Sequence, residues 1–231
     1  MKYDIEHAPS FAWLKVHLQP GEVIQAEAGA MVRMAPDVEM STRLNAGRHA
    51  GLFAKLWAFL VALVRKFLGG ETMFVNDFQA SAGGEVVLAP SLAGSIVSKQ
   101  LDGVRTLFVQ TGSYLASTGD IDTKVRFGGL RTLFGGEGLV LLQCTGTGKV
   151  FVNSYGGILP VTVTNKLVVD TGHIVAFDGA LDFRVRSAGG LKSFLFSGEG
   201  LVCEFSGQGT VYVQSRNLKA LAGWITPLLP R

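Results

Sequence analysis

Thr111-Gly-Ser-Tyr-Leu-Ala-Ser-Thr-Gly-Asp-Ile-Asp-Thr-Lys-Val-Arg126 returns sixty residues later as Thr171-Gly-His-Ile-Val-Ala-Phe-Asp-Gly-Ala-Leu-Asp-Phe-Arg-Val-Arg186. Thr-Gly, Gly119/Gly179, Asp122/Asp182 and Val-Arg all keep that offset. The match slips to 61 at Gly129-Leu130 against Gly190-Leu191, and to 62 at Glu137–Val140 against Glu199–Val202. Gly146-x-Gly148 then meets Gly207-x-Gly209, with Val-Phe-Val and Val-Tyr-Val after them. A fixed order of matches with small slips is the mark of duplication, and internal repeats decide the architecture before any local reading does.

A third copy lies upstream. An offset of 83 carries Gly29 to Gly112, Glu39 to Asp122 and Arg43 to Arg126, while Gly70-Glu71 and Gly83-Gly84 stand for Gly136-Glu137 and the Gly146-x-Gly148 pair. Glu39 precedes Glu71 by 32 residues where Asp122 precedes Glu137 by 15, so the first copy holds an insertion of about 17 residues between Arg43 and Gly69. The expected organisation is one compact all-β unit over 1–231, with repeats at roughly 11–98, 99–163 and 164–218. It includes a helical insertion at 48–68 and a C-terminal tail at 219–231.

Within each copy the local signal is β. Phe11–Leu18 and Asp122–Phe127 alternate partly with period 2, and Thr147–Val152, Leu159–Val163 and Thr210–Val213 are short β-branched and aromatic runs. Pro20-Gly21, Asp102-Gly103, Asp178-Gly179 and Asn153-Ser154 supply turns, and the Gly-rich stretch Thr145–Lys149 is read as a hairpin turn. Short strands at this spacing predict an antiparallel β-sandwich or barrel-like stack. The pairs Glu39/Arg43, Asp122/Arg126 and Asp182/Arg186 share a strand face but lie about 13 Å apart along it, so each side chain is expected to bond a neighbouring strand. The carboxylates Glu71, Glu137 and Glu199 are read as structural, with convergence on a cation as the alternative.

The insertion reads differently. Leu52–Leu68 contains no Gly or Pro, and at 100° per residue its three cations Lys55, Arg65 and Lys66 and three alanines fall in a 120° arc. Leu52, Phe53, Leu56, Trp57, Phe59, Leu60, Leu63, Val64 and Phe67, with Val61 and Leu68, fill the rest, a wider apolar face than a surface helix needs. A membrane-spanning helix wants about 20 apolar residues, which leaves an interfacial membrane helix or a helix packing within the chain or between subunits as the two readings.

Composition bounds the rest. The 231 residues are 48% hydrophobic and 17% charged, with 30 Gly, a net charge of +3 and a mean hydropathy of +0.33. Disorder and collagen are excluded, and scattered basic residues argue against a nucleic-acid partner. Cys144 and Cys203 sit in apolar runs and are read as buried thiols of a reducing compartment, and the N-terminus lacks a secretory h-region, so a cytoplasmic location is expected. His7, His17, His49 and His173 show no metal-ligand spacing, and no nucleophile or phosphate-loop motif is present. No catalytic residue, metal site or cofactor is assigned, and the chain is expected not to be an enzyme.

Leu18-Gln-Pro-Gly-Glu22, then Ala26-Glu-Ala-Gly-Ala-Met31-Val-Arg-Met34, Gly70-Glu71 and the Gly-Glu-Gly-Leu of 136–139 and 198–201, resemble the altered-inheritance-of-mitochondria protein 24 family over essentially the whole chain. The resemblance implies the double-stranded β-helix-like fold grouped with the trp RNA-binding attenuation protein, duplicated in one chain and assembling into trimers or rings. It supplies no catalytic residues, and its mitochondrial members are tied to inner-membrane organisation. The expectation is a non-enzymatic homo-oligomer acting as a scaffold or membrane-peripheral assembly factor. The alternatives are a ligand- or RNA-binding ring and a hydrolase with a spatially assembled site.

Overall fold

The computed structural model describes residues 1–44, 74–128, 139–189 and 200–229. The insertion expected over 48–68, with its apolar residues Leu52 to Phe67, lies outside the described residues, as do Glu71, Glu137 and Glu199.

Strand β1 (Lys2–Glu6) pairs with β2 (Trp13–Leu18), whose alternation is sorted by the sheet. Leu14, Val16 and Leu18 are buried, while Trp13, Lys15 and His17 stay partly exposed, as period 2 requires. From β2 onward one antiparallel pairing scheme recurs along the chain. β3 (Val23–Glu27), β4 (Met31–Met34), β5 (Val38–Leu44), β6 (Phe74–Ala80) and β7 (Gly84–Leu88) follow; β7 takes β2 and β4, and β6 takes β3 and β5. Next come β8 (Ile96–Asp102), β9 (Leu107–Gln110), β10 (Tyr114–Thr118), β11 (Asp120–Gly128) and the 15-residue β12 (Leu139–Asn153). The later part of β12 takes β8 and β10, the earlier part β9 and β11. Last come β13 (Ile158–Val163), β14 (Lys166–Asp170), β15 (Ile174–Asp178), β16 (Asp182–Ser187), β17 (Leu201–Ser206) and β18 (Gly209–Gln214). Here β18 takes β13 and β15, and β17 takes β14 and β16. Even a bulge returns, at Met31/Arg33, Tyr114/Ala116 and Ile174/Ala176.

Each pass packs on a core that it shares in part with the neighbouring pass. Leu14, Ile24, Phe78 and Val86 fill the first, Val109, Cys144, Val150 and Val152 the second, and Phe177, Phe205, Cys203 and Val211 the third. Burial of such apolar area is the main term holding these layers together. The passes are joined edge to edge, β10 on β3 and β15 on β9, which creates a large sheet through β12. At the two ends remain a four-stranded sheet, β1-β2-β7-β4, and a three-stranded one, β14-β17-β16.

Three sequence expectations shift. The joints expected at 98/99 and 163/164 move, because β8 pairs with β12 and β13 with β18, giving paired stretches 13–88, 96–153 and 158–214. Gly146 and Gly148 are not in a hairpin turn but inside β12, with φ of +108° and +152°, where the strand presses on the backbone of Thr118 and Asp120. The expected tail is helical over Leu218–Ile225 (α1), because the Asn217 side chain accepts from the Lys219 and Ala220 amides and so caps its first turn.

Candidate functional site

The joints between passes show what a completed edge looks like. In the first joint Ala116 faces Ala26, Ser117 faces Gln25 and Thr118 faces Ile24. Its contacts are polar: Tyr114 Oη lies 2.8 Å from Ser117 Oγ and 3.3 Å from Gln25 Oε1, and Gln25 Nε2 donates to Asp77 at 3.3 Å. In the second joint Ala176 faces Val109, Phe177 faces Phe108 and Asp178 faces Leu107. Its contacts are aromatic, with Phe108 and Phe177 stacked at 5.2 Å and Phe177 edge-on to Phe183 and Phe205 at 5.0 and 4.9 Å.

The third position in the scheme is open. Strand β4 corresponds to β10 and β15 through the shared bulge, so Met31, Val32 and Met34 stand where Tyr114, Leu115 and Ser117, and Ile174, Val175 and Phe177, stand elsewhere. All six counterparts are at most 4% exposed, while Met31, Val32 and Met34 are 39%, 49% and 39% exposed. Strand β14 corresponds to β3 and β9, which places Val168, 50% exposed, where Gln25 and Phe108 sit in the closed joints. Among the described residues β4 and β14 each pair on one side only.

Beside each of these positions runs an arginine ladder. Arg43 Nε donates to Asp77 at 2.6 Å, Arg126 Nε to Gln143 at 2.8 Å and Arg186 Nε to Glu204 at 3.2 Å, each to the neighbouring strand. The Arg186 hydrogen bond, helped by Lys166, holds the Glu204 carboxyl below the usual range. Asp122 meets Lys124 Nζ at 3.2 Å, and Glu39 and Asp182 are exposed. The arginines therefore fix strand pairing next to the joints, and at the first joint Arg43 steadies the Asp77 that receives Gln25.

The other reactive groups are quiet. His17 lies on β2 within 3.5 Å of both Asp4 and Glu85, and His173 Nδ1 is 2.8 Å from the Gln214 carbonyl. Among the described residues no three of His, Cys, Asp and Glu come together as metal ligands do. Cys144 and Cys203 are free and buried in different cores, and burial pushes each thiol up to about 12. An unfolded thiol, with a pKa near 8.5, ionises first, so the unfolded state holds fewer protons between about pH 9 and 12 and stability falls as pH rises there. The expected loss is at most about 1.4 kcal/mol per pH unit for each thiol. A thiol reagent at pH 8 is expected to label neither cysteine in the native protein and both in denaturant; rapid native labelling would contradict this burial.

The open edges have a signal in the sequence: the offset of 83 carries Met31 to Tyr114 and Met34 to Ser117, and the offset of 60 carries Phe108 to Val168. Comparison with known proteins places the whole chain in a defined company. A family model described as "Mitochondrial biogenesis AIM24" matches residues 3–216. An uncharacterized protein of Streptococcus pyogenes serotype M6 is 31% identical over 233 residues, covering 100% of this chain and 92% of that protein. The crystal structure of a Streptococcus pyogenes protein from structural genomics superposes with a TM-score of 0.79 at 27% identity, over 99% of both chains.

Proposed function

The chain belongs to the mitochondrial biogenesis AIM24 family, and from that premise we propose that it is a non-enzymatic scaffold that works as a homo-oligomer. One observation carries the reading: Met31, Val32 and Met34 are 39–49% exposed at strand positions whose counterparts in both closed joints are buried. An apolar sheet edge left open in solution templates pairing with another chain, and proteins that remain single usually guard such edges with charge, proline or a bulge. The bulge at Met31/Arg33 is no guard, because β10 and β15 carry the same bulge and are paired on both sides. The one charge on β4, Arg33, is turned to Glu85 at 2.5 Å. A reducing, cytoplasmic setting accords with the two buried thiols.

A membrane-peripheral role is the second reading, favoured by α1 and the turn after it. Leu218, Trp224, Leu228 and Leu229 are 53–68% exposed there, beside Arg216 and Lys219, and the last acid in the chain is Glu204. Exposed Trp and Leu with cations suit the interface of an anionic bilayer. Among the described residues no helix is long and apolar enough to cross one.

Static light scattering over a dilution series, with and without anionic vesicles, tests both readings. The scaffold reading expects a mass that is a multiple of 24.6 kDa without vesicles. A single-chain mass at every concentration sinks it, and unchanged mass in the presence of vesicles sinks the second.

A further inference from the structure

We propose that one rim of the molecule, formed by the connectors between passes and continued by α1, docks on an anionic lipid bilayer, with Phe11 and Trp224 as its two aromatic anchors. It rests on the membrane-peripheral reading and gives that reading a face.

The rim consists of four short segments that the strand order brings side by side. Residues 7–12 lead from β1 into β2, 89–95 from β7 into β8, 154–157 from β12 into β13, and 215–217 from β18 into α1. The Ala12 amide donates to the Gly94 carbonyl at 3.0 Å, the Gly156 amide to Ala93 at 2.9 Å and the Arg216 amide to Tyr155 at 3.2 Å. The four segments therefore form one hydrogen-bonded row. Phe11, 74% exposed, stands at one end of it, and α1 leaves from the other.

The helix is fixed at its root and bare along its length. The Ser215 amide is bonded to the Gly157 carbonyl at 3.0 Å, and Asn217 Nδ2 donates to the Asp170 carboxylate at 3.3 Å. Gly172 leaves room for that contact, because a Cβ there would lie 2.4 Å from Asn217 Nδ2. At about 100° per residue, Leu218, Leu221, Trp224 and Ile225 fall within about 120° of arc, with Lys219 on the other side. No residue of α1 is buried, so this apolar face is not packed into a core. The helix begins beyond residues 3–216, the stretch that the family model matches.

Charge decides the occupant. None of the four segments contains Asp or Glu and no acid follows Glu204, while Arg216 and Lys219 stand at the start of α1. Of the acids that border the rim, Glu6 is held by Lys15 and Trp13, each at 2.6 Å, and Asp170 by the Gly172 amide and Asn217. The turns at the far ends of β2 and β8, by contrast, carry Glu22 and Asp102. Aromatic rings at separate points of a cationic, acid-free rim match a broad anionic surface. The rings enter at the level of the head groups and the cations attract the lipid charge.

Flotation of the full chain with vesicles is the test. The protein is expected to float with vesicles of phosphatidylglycerol and phosphatidylcholine in equal parts, and to be released as added salt screens the lipid charge. Phe11→Asp and Trp224→Asp change exposed positions, so both are expected to keep the circular dichroism of the unmodified protein. Each is expected to partition about tenfold less, the loss brought by one large apolar side chain left in water. Arg216→Gln is expected to bind the mixed vesicles about fivefold less and pure phosphatidylcholine vesicles as before. Val104→Asp, on the exposed turn at the far end of β8, is expected to change nothing. If the full chain floats and either aspartate variant floats as well as it does, the rim is wrong while the membrane-peripheral reading stands. A full chain that leaves the mixed vesicles unbound ends both. A lower mass for Trp224→Asp than for the unmodified protein without vesicles would also overturn the proposal, because another chain would then be covering α1.

Discussion

Phe177→Ala is expected to lower the unfolding free energy by about 4 kcal/mol, the range found when a large aromatic is cut back to a methyl in a packed core. Phe177 has no exposed surface, and its ring sits within 5.2 Å of Phe108, 5.0 Å of Phe183 and 4.9 Å of Phe205. Those neighbours come from three different strands, β9, β16 and β17, so no single shift fills the space left behind. The loss has two parts: transfer of the ring to water, and the aromatic contacts, worth about 0.5–1.5 kcal/mol for each good pair. It also strikes twice, because Phe177 belongs both to the third core and to the β15–β9 joint. Equilibrium urea unfolding measures it, and a loss below 1 kcal/mol would show that the third core repacks as a fluid would.

The second large effect is a contrast between two glycines at corresponding positions. Gly146 and Gly207 have nearly the same backbone, φ +108° and +107°, so alanine at either one bears the strain of a left-handed conformation, about 1–3 kcal/mol. Space separates them. A Cβ on Gly146 would lie 2.0 Å from the Asp120 carbonyl oxygen, near the start of the β11–β12 ladder where Ile121 faces Gly146. A Cβ on Gly207 would meet nothing nearer than 3.7 Å. Gly207→Ala is therefore expected to cost about 1–2 kcal/mol, the strain alone. Gly146→Ala must also push two ladder strands apart and is expected to cost at least about 2 kcal/mol more, or to prevent folding. Equal melting shifts for the two variants would refute the steric part of this account.

Much of the fold is legible in the recurring sequence positions. The offsets of 60 and 83 align the bulges, the Arg ladders and the open edges, and period 2 in Trp13–Leu18 tells which side chains go inward. Three things escape. Period 2 assigns a face but names no partner, so the pairing of β10 with β3, remote in sequence, could not be read from either strand. Gly-x-Gly signals a special backbone without saying whether it turns the chain or lets two strands touch, and at Gly146 it does the second. The i, i+4 acid–Arg spacing located Arg43, Arg126 and Arg186 on the ladder, but their acceptors Asp77, Gln143 and Glu204 lie on the next strand and differ in type, leaving no common motif. Met31-Val-Arg-Met34 is by sequence a family-like stretch; its place at a sheet edge needs the strand order.

Both closed joints lie within one chain. They form by first-order events, at the effective concentration that a covalent connection provides, and do not respond to dilution. The register between passes is therefore independent of the amount of protein present, and a dilution series leaves both joints intact.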